Sequence, residues 1–265
     1  MSDDTARHDE LVAQTRLTLG RIASDFSPAV FASSLAAEDM VLTDLILRTG
    51  LPITIFSLDT GRLHAETLGM IDRIHQHYGY QVTLYRPQSD AVEAWVSDHG
   101  KDAFYDSVEL RKECCRIRKV EPLGRALDGN NAWITGQRRA QSATRTELAV
   151  QERDEAHRMT KFNPLADWSE QDVWHYIRGN KVPYNPLHDR GYPSIGCEPC
   201  TRPIQPGEDV RAGRWWWEDP QSRECGLHMV DGKLTRIIKV QATGVATNVA
   251  TSVETTSGKT EGSES

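Results

Sequence analysis

"PAVFASSLAAEDMVLTDLILRTGLPITIFSLDTG", residues 28–61, decides the fold class of this chain. Residues 28–34 are apolar and then small, as in a strand buried on both faces. Residues 37–50 carry helical periodicity and close on Gly50. Residues 51–61 form a second apolar strand that runs into a turn. The same alternation continues outward. Helical patterns cover 62–79, 90–100 and 115–127, the last around Pro122, and strand patterns cover 80–87, 131–137 and 157–165. An amphipathic helix over 7–24 precedes them. A helix over 167–180 is marked by Ser169 with Asp172 at its start and by Val173, Trp174 and Ile177 at helical spacing. Alternating strands and helices predict an α/β fold with a mainly parallel sheet flanked by helices. Such sheets bind ligands at the carboxyl ends of their strands. "ASSLAAED", "SLDTG" and "TGQRR" all sit at such ends, so they are either ordinary turns or three edges of one site.

Bulk properties bound the function. The chain has 265 residues, 38% hydrophobic and 26% charged, which suits a soluble globular protein of one large domain or two small ones. Net charge is -7, which argues against general nucleic-acid affinity. Basic groups are nonetheless gathered locally, in "RKECCRIRK" (111–119) and "RRAQSATR" (138–145). No apolar run is long enough to span a membrane, and the polar start has no signal-peptide core, so a cytoplasmic location is expected. No internal repeat is visible. From about residue 240 the composition is Thr, Ser, Gly and Val without periodicity, and disorder is expected there.

Five cysteines in such a chain point away from a disulfide framework. Cys114 and Cys115 are adjacent, and Cys197-x-x-Cys200 has a common metal-ligand spacing. Adjacent cysteines can share a centre if the chain kinks, for instance at a helix start. Zinc, an iron–sulfur cluster and two pairs of buried thiols all fit this spacing. Cys225 stands alone, with Arg223 and His228 close by and Arg211 and Arg214 upstream. Cations there would raise its thiolate fraction and make it a nucleophile; a buried structural thiol is the other reading. In "GRWWWE" (213–218) the tryptophans are expected to anchor the segment on the core rather than to stack on a base.

Together, "KECCRIRKVEPL", "GCEPCTRPI", "GRWWWE" and "ECGLH" resemble the assimilatory adenylyl-sulfate reductases, within the wider phosphoadenylyl-sulfate reductase family. The resemblance covers most of residues 28–228. It implies an adenine nucleotide alpha hydrolase-like fold with a mobile C-terminal arm. It implies reduction of adenosine 5′-phosphosulfate to sulfite and AMP, with thioredoxin or glutaredoxin as donor. Cys114, Cys115, Cys197 and Cys200 would bind a [4Fe-4S] cluster. Cys225 would be the nucleophile and carry an S-sulfocysteine, Lys119 would lie between cluster and substrate, and His228 would face the phosphosulfate. Substrate contacts would come from Ser33, Ser34, Asp59 and Gly61, from Gly136, Arg138 and Arg145, and from Arg211 and Arg214. The implied divisions are a nucleotide-binding and iron–sulfur domain over 1–205, an arm over 206–228 and an extension over 229–265. No nucleic-acid or membrane partner is implied, and self-association into a homo-oligomer is left open.

Two features depart from that pattern. Ala36 stands where related strand-end loops carry Gly, and the chain continues well past "ECGLH". Three other functions share parts of the pattern. A 3′-phosphoadenylyl-sulfate reductase typically lacks the cysteine quartet. An ATP pyrophosphatase-type enzyme usually reads Ser-Gly-Gly-x-Asp in its loop. A non-enzymatic iron–sulfur sensor leaves the arginine and Trp/Arg segments without a role.

Overall fold

The computed structural model describes residues 2–141 and 147–219. Arg145, Cys225, His228, the extension and the tail expected to be disordered lie outside the described residues. Helix α1 (Ser2–Asp25) is followed by β1 (Ala29–Ala32), α2 (Ala37–Arg48), β2 (Ile53–Leu58), α3 (Ala65–Tyr78), β3 (Thr83–Tyr85) and α4 (Ser89–His99). Next come α5 (Val108–Cys115), α6 (Glu121–Leu127), β4 (Ala132–Ile134), β5 (Gln151–Asp154), β6 (Met159–Phe162) and α7 (Glu170–Asn180). The strands form one sheet in the order β3-β2-β1-β4-β6-β5. All pairings are parallel except β5 with β6. The strand order reverses direction between β1 and β4, where an open α/β sheet leaves its crevice.

Strand alternation explains why helices cover both faces. Ala29 and Phe31 of β1, Ile53 and Ile55 of β2, and Ala132 and Ile134 of β4 join one core with residues of α1, α2, α3 and α7. Their neighbours Val30, Phe56 and Trp133 point the other way and pack on Leu123, Ala126 and Leu127 of α6. Both faces are thus covered, which is why β1 and β4 are apolar throughout, while β2 departs at exposed Thr54 and at Ser57. Ser169 caps α7, accepting from Asp172 N while the Asp172 carboxylate accepts from Ser169 N, the reciprocal box expected from the sequence.

Three differences from the sequence reading matter. Each strand is shorter than expected, and the excess at its C-terminal end is loop: Ser33–Ser34, Asp59–Gly61 and Thr135–Gln137. Strand β5 was not expected, because "QERD" has no apolar alternation; it is a charged edge strand, the composition that discourages further pairing. The helix around Pro122 begins earlier, at Val108. Ser107 caps α5 by accepting from Leu110 N, and the helical path runs through a π-turn at Arg116–Val120 into α6.

The described part of the expected arm, up to Asp219, is packed on the domain. Thr201 bridges Arg214, Trp215 N donates to Cys200 O at 3.1 Å, and Trp215 is fully buried.

Candidate active site

A cavity of about 270 Å³ opens at the carboxyl ends of β1, β2 and β4. One wall comes from the strand-end loops. Ser33 and Ser34 follow β1, Ser57 and Thr60 belong to the end of β2, and Thr135 and Gly136 follow β4. Asp39, in the first turn of α2, stitches two of these loops together. Its Oδ2 accepts from Ser34 N at 2.6 Å and from Ser34 Oγ at 2.5 Å, and it also accepts from the Gly136 backbone. A Cβ on Gly136 would lie 2.1 Å from Asp39 Oδ1, so this contact requires glycine. Burial pushes the Asp39 carboxyl up to about 6, against the hydrogen bonds from Ser34.

Backbone geometry also explains Ala36. It has φ −86° and ψ 174°, an extended conformation open to any residue, so no glycine is needed there. The left-handed residue of this loop is Leu35 (φ 64°), fully buried and held by its own N–H, which donates to Ser33 Oγ at 3.2 Å. Strained backbone of this kind concentrates at ligand-binding turns.

The opposite wall is basic. Lys119, Arg211 and Arg214 line it, with Pro193–Cys197 and Trp215. Arg214 lies flat against the backbone of Gly196, where a Cβ would sit 2.4 Å from its guanidinium. Its guanidinium carbon stacks 4.6 Å from the Trp215 ring, and that of Arg111 lies 4.7 Å from the same ring. Arg111 in turn makes a two-pronged, fully buried ion pair with Glu218, at 2.8 and 2.7 Å. The Trp/Arg segment is therefore an anchor at Trp215, as the sequence suggested, while Trp216 is 37% exposed.

Behind this wall lie the cysteines. Cys114, Cys197 and Cys200 share one packed cluster with Trp95, Phe104, Ile117 and Trp215, and Cys115 is buried beside Cys114 in the chain. Cys114 and Cys115 end α5, at the point where the π-turn begins. The adjacent pair is thus at the end of a helix, not at a helix start, and π-turns recur at functional sites. Burial pushes the Cys200 thiol up to about 12, with Cys197 adding to it and Lys119 and Arg214 opposing. Burial also raises Cys114, opposed first by Arg118. Cys197 Sγ is 3.2 Å from Thr60 Oγ1, so a cysteine of this group touches the loop after β2 that lines the cavity. Four thiols among cations suit an anionic thiolate centre. Among the described residues no three Cys, His, Asp or Glu side chains converge as ligands of a single ion.

The model of the phosphoadenosine phosphosulfate reductase domain matches residues 28–203 of the sequence. The chain belongs to this family. It is 61% identical over 228 residues to the adenosine 5′-phosphosulfate reductase of Burkholderia cepacia, covering 85% of this chain and 91% of that one. It is 59% identical over 210 residues to the protein of the same name from Allochromatium vinosum, covering 79% and 82%. Among solved structures, the phosphoadenylyl-sulfate reductase of Candida auris in a phosphate complex superposes with a TM-score of 0.62 at 28% identity, covering 74% of this chain and 96% of that one.

Within this reductase-family fold, the expected site residues divide. Ser33, Ser34, Gly136, Lys119, Arg211 and Arg214 all line the cavity, with Cys197. Asp59 and Gly61 instead shape the turn after β2. Asp59 Oδ1 accepts from Gly61 N at 3.0 Å and its Oδ2 pairs with Arg86 at 2.9 Å. Gly61 has φ +69° and sits over Arg118, which donates to Thr60 O at 2.9 Å. Thr60, between them, is the residue that faces the cavity. Arg138 is turned away from it: Nε and Nη2 donate to Glu38 Oε1 at 3.0 and 2.7 Å, and Nη1 donates to Trp168 O. Sequence reasoning did not single out Asp39, Thr60, Arg118 or His188. Asp39 and Thr60 lie inside stretches that were quoted, so a finer reading of those loops could have found them. His188 carries no local signal at all.

Proposed function

We propose that this chain reduces adenosine 5′-phosphosulfate to sulfite and AMP, the activity named for its curated relatives. The observation that carries the reading is the shared cavity. Hydrogen-bonding strand-end loops form one wall, and Lys119, Arg211, Arg214 and a cysteine of the thiol group form the other. A nucleotide phosphosulfate has the matching form, a nucleoside at one end and closely spaced anionic oxygens at the other. Planar guanidinium forks suit those oxygens, and Lys119 adds a point charge. Ser33, Ser34 and Gly136 would take the nucleotide end. Asp59 and Gly61 would act through the turn that presents Thr60. Arg138 would act through Glu38, and Arg145 would join it from the same arginine-rich loop.

In the proposed reaction the Cys225 thiolate attacks the sulfate sulfur. The S–O bond to the phosphate breaks and AMP leaves, with the basic wall stabilising charge on the departing phosphate. A dithiol reductant, thioredoxin or glutaredoxin, then releases sulfite from the S-sulfocysteine. His228 would face the same group. Cys225 is six residues beyond Asp219, so extended chain could carry it at most ~20 Å from there. An arm over 206–228 that is anchored at Trp215 and reaches from that point fits a thiol that must meet both substrate and protein reductant. The domain over 1–205 would hold nucleotide and cysteines.

Cys114, Cys115, Cys197 and Cys200 would hold a [4Fe-4S] cluster. Four cysteine thiolates are a ligand set that such a cluster takes, and Arg118, Lys119 and Arg214 near them would offset its negative charge. When bound, it would supply an electrostatic and structural element behind Lys119. The quartet also supports the substrate without a 3′-phosphate. No helix among the described residues is long and apolar enough to cross a membrane, and a cytoplasmic location fits the proposed thiol chemistry.

The deciding experiment is anaerobic incubation of the purified protein with adenosine 5′-phosphosulfate and no reductant, followed by peptide mapping. A sulfite-sized adduct on Cys225, lost on adding thioredoxin, is expected. A cluster-loaded protein that forms no adduct would overturn the Cys225 step.

A further inference from the structure

Helix α2 starts without a cap of its own, because Ala36 has no side-chain acceptor. Its first amide is instead taken by a residue 151 positions away: Ala37 N donates to His188 Nε2 at 3.1 Å. Both partners line the hollow that adjoins the cavity, and the chain on either side of the tie leads to its two walls. Ala36 and Ser34 line one side, and the chain that follows His188 supplies Pro193–Cys197 on the other. His188 is also firmly presented. Just before it, fully buried Asn185 donates to Thr67 Oγ1 on α3 at 2.9 Å and accepts from Leu187 N at 3.1 Å. Trp174 of α7 packs edge-on against the imidazole at 5.3 Å.

We propose that His188 is a positioning residue that holds the two walls of the cavity in register, with its neutral Nε2 as the acceptor, and that protonation of this imidazole releases the substrate loop. The inference rests on the sulfonucleotide reading of the cavity. A doubly protonated ring would turn a donor toward the Ala37 N–H and place positive charge at the positive end of the α2 dipole. The groups around the ring set the balance. Glu38 of α2, Glu170 of α7, Asp189 of its own turn and a hydrogen bond to the Tyr192 backbone all favour protonation, but burial outweighs them and keeps His188 below its ordinary range. Two neighbouring cations, Arg138 and Arg178, line the adjoining hollow with His188, and Arg138 is paired with Glu38. The imidazole is therefore a neutral acceptor at neutral pH.

His188→Gln keeps an acceptor that does not titrate, and His188→Leu removes the acceptor. The cluster-loaded full chain would be titrated with AMP between about pH 7.5 and about pH 4.5, below the ordinary imidazole range because burial lowers His188, each protein normalised to its own value at the higher pH. Binding by the parent is expected to weaken at least about 5-fold in acid, and by His188→Gln about 2-fold or less. His188→Leu is expected to bind at least about 10-fold more weakly than the parent at both pH values. AMP and Asp39 titrate in all three proteins, so the comparison isolates position 188. A Gln variant that follows the parent's slope, or a Leu variant that binds like the parent, would overturn the proposal. Hydrogen exchange of the peptide spanning Ala37 tests the tie without any nucleotide. Faster exchange is expected in His188→Leu at neutral pH, with protection retained in His188→Gln. Unchanged exchange in the Leu variant overturns the tie, whereas a parent that binds no AMP yet shows the expected exchange pattern indicts the sulfonucleotide reading instead.

Discussion

The strand-end loops and the cysteine region face each other across one cavity, yet they are held in place over very different distances in sequence. Asp39 reaches Ser34 five residues away, and both ride on a parallel sheet whose register fixes the position of Gly136. The cysteine region has no strand beneath it. Residues of α5, the Cys197–Cys200 turn and the Trp/Arg segment meet there through isolated backbone bridges and buried side chains, with Arg111 and Glu218 paired across 107 positions. The fold around the loops should therefore survive loss of single contacts, because backbone ladders keep the strands aligned. The cysteine region should depend on a few buried side chains.

The largest expected effect falls on that buried pair. Arg111→Ala removes both prongs of the pair from the buried Glu218 carboxylate, and a cost of about 3–5 kcal/mol is expected in urea unfolding. Early proteolysis between residues 194 and 219, before the sheet opens, would show that the loss is local. A cost under about 1 kcal/mol would mean that the region is held by packing rather than by the pair.

Next in size is a pH effect on the loop side. Asp39 is raised from 3.8 to about 6, first by burial. The folded protein therefore binds more protons than the unfolded chain between those values. This contribution to stability is fully present below 3.8 and is lost as pH rises through about 6. Asp39→Asn does not titrate, so relative to the parent it should gain on the order of 2 kcal/mol between pH 4 and pH 7, read from unfolding at the two pH values. A constant difference between the two proteins would show that this carboxyl is not strained by burial.

A smaller change tests the contact itself. In Gly136→Ala the new methyl would meet the Asp39 carboxylate, so a stability loss of about 1–3 kcal/mol and at least a tenfold rise in KM for adenosine 5′-phosphosulfate are expected. Gly124→Ala, in open space on α6, is the control and should be neutral or stabilising by up to about 1 kcal/mol. If both substitutions behave alike, close approach at Gly136 does not hold the loop. The smallest effect belongs to neither region. Ser169→Ala removes the α7 cap, and a loss of about 1 kcal/mol without change in KM is expected.

How far the sequence could be read follows the same division. Helices α2, α3, α4 and α7 were legible because a half-buried helix imposes a period, and α7 also carries its own capping pair. The strands were legible as apolar runs, but their ends were not, since a buried strand and the buried start of a loop have the same composition. The resemblance named Ser33, Ser34 and Gly136 as contacts, while Asp39, which ties Ser34 to Gly136, was passed over. Edge strand β5 is polar and gave no signal. Arg138 looked like one more basic residue of an arginine-rich loop; only its partner Glu38, 100 positions earlier, turns it from the cavity.

By itself, then, the amino-acid sequence determined the α/β class, the parallel sheet, the strand ends that hold the site and, through its cysteine and "ECGLH" motifs, the reductase family. These follow from local periodicity and from short motifs, which are properties of neighbouring residues. The tertiary structure alone decided which loops touch, which cations face the cavity, that the adjacent cysteines lie where α5 turns into a π-turn, and that His188 completes a helix it does not belong to. Each of those depends on burial and on pairing between distant residues, and a linear pattern carries no record of either.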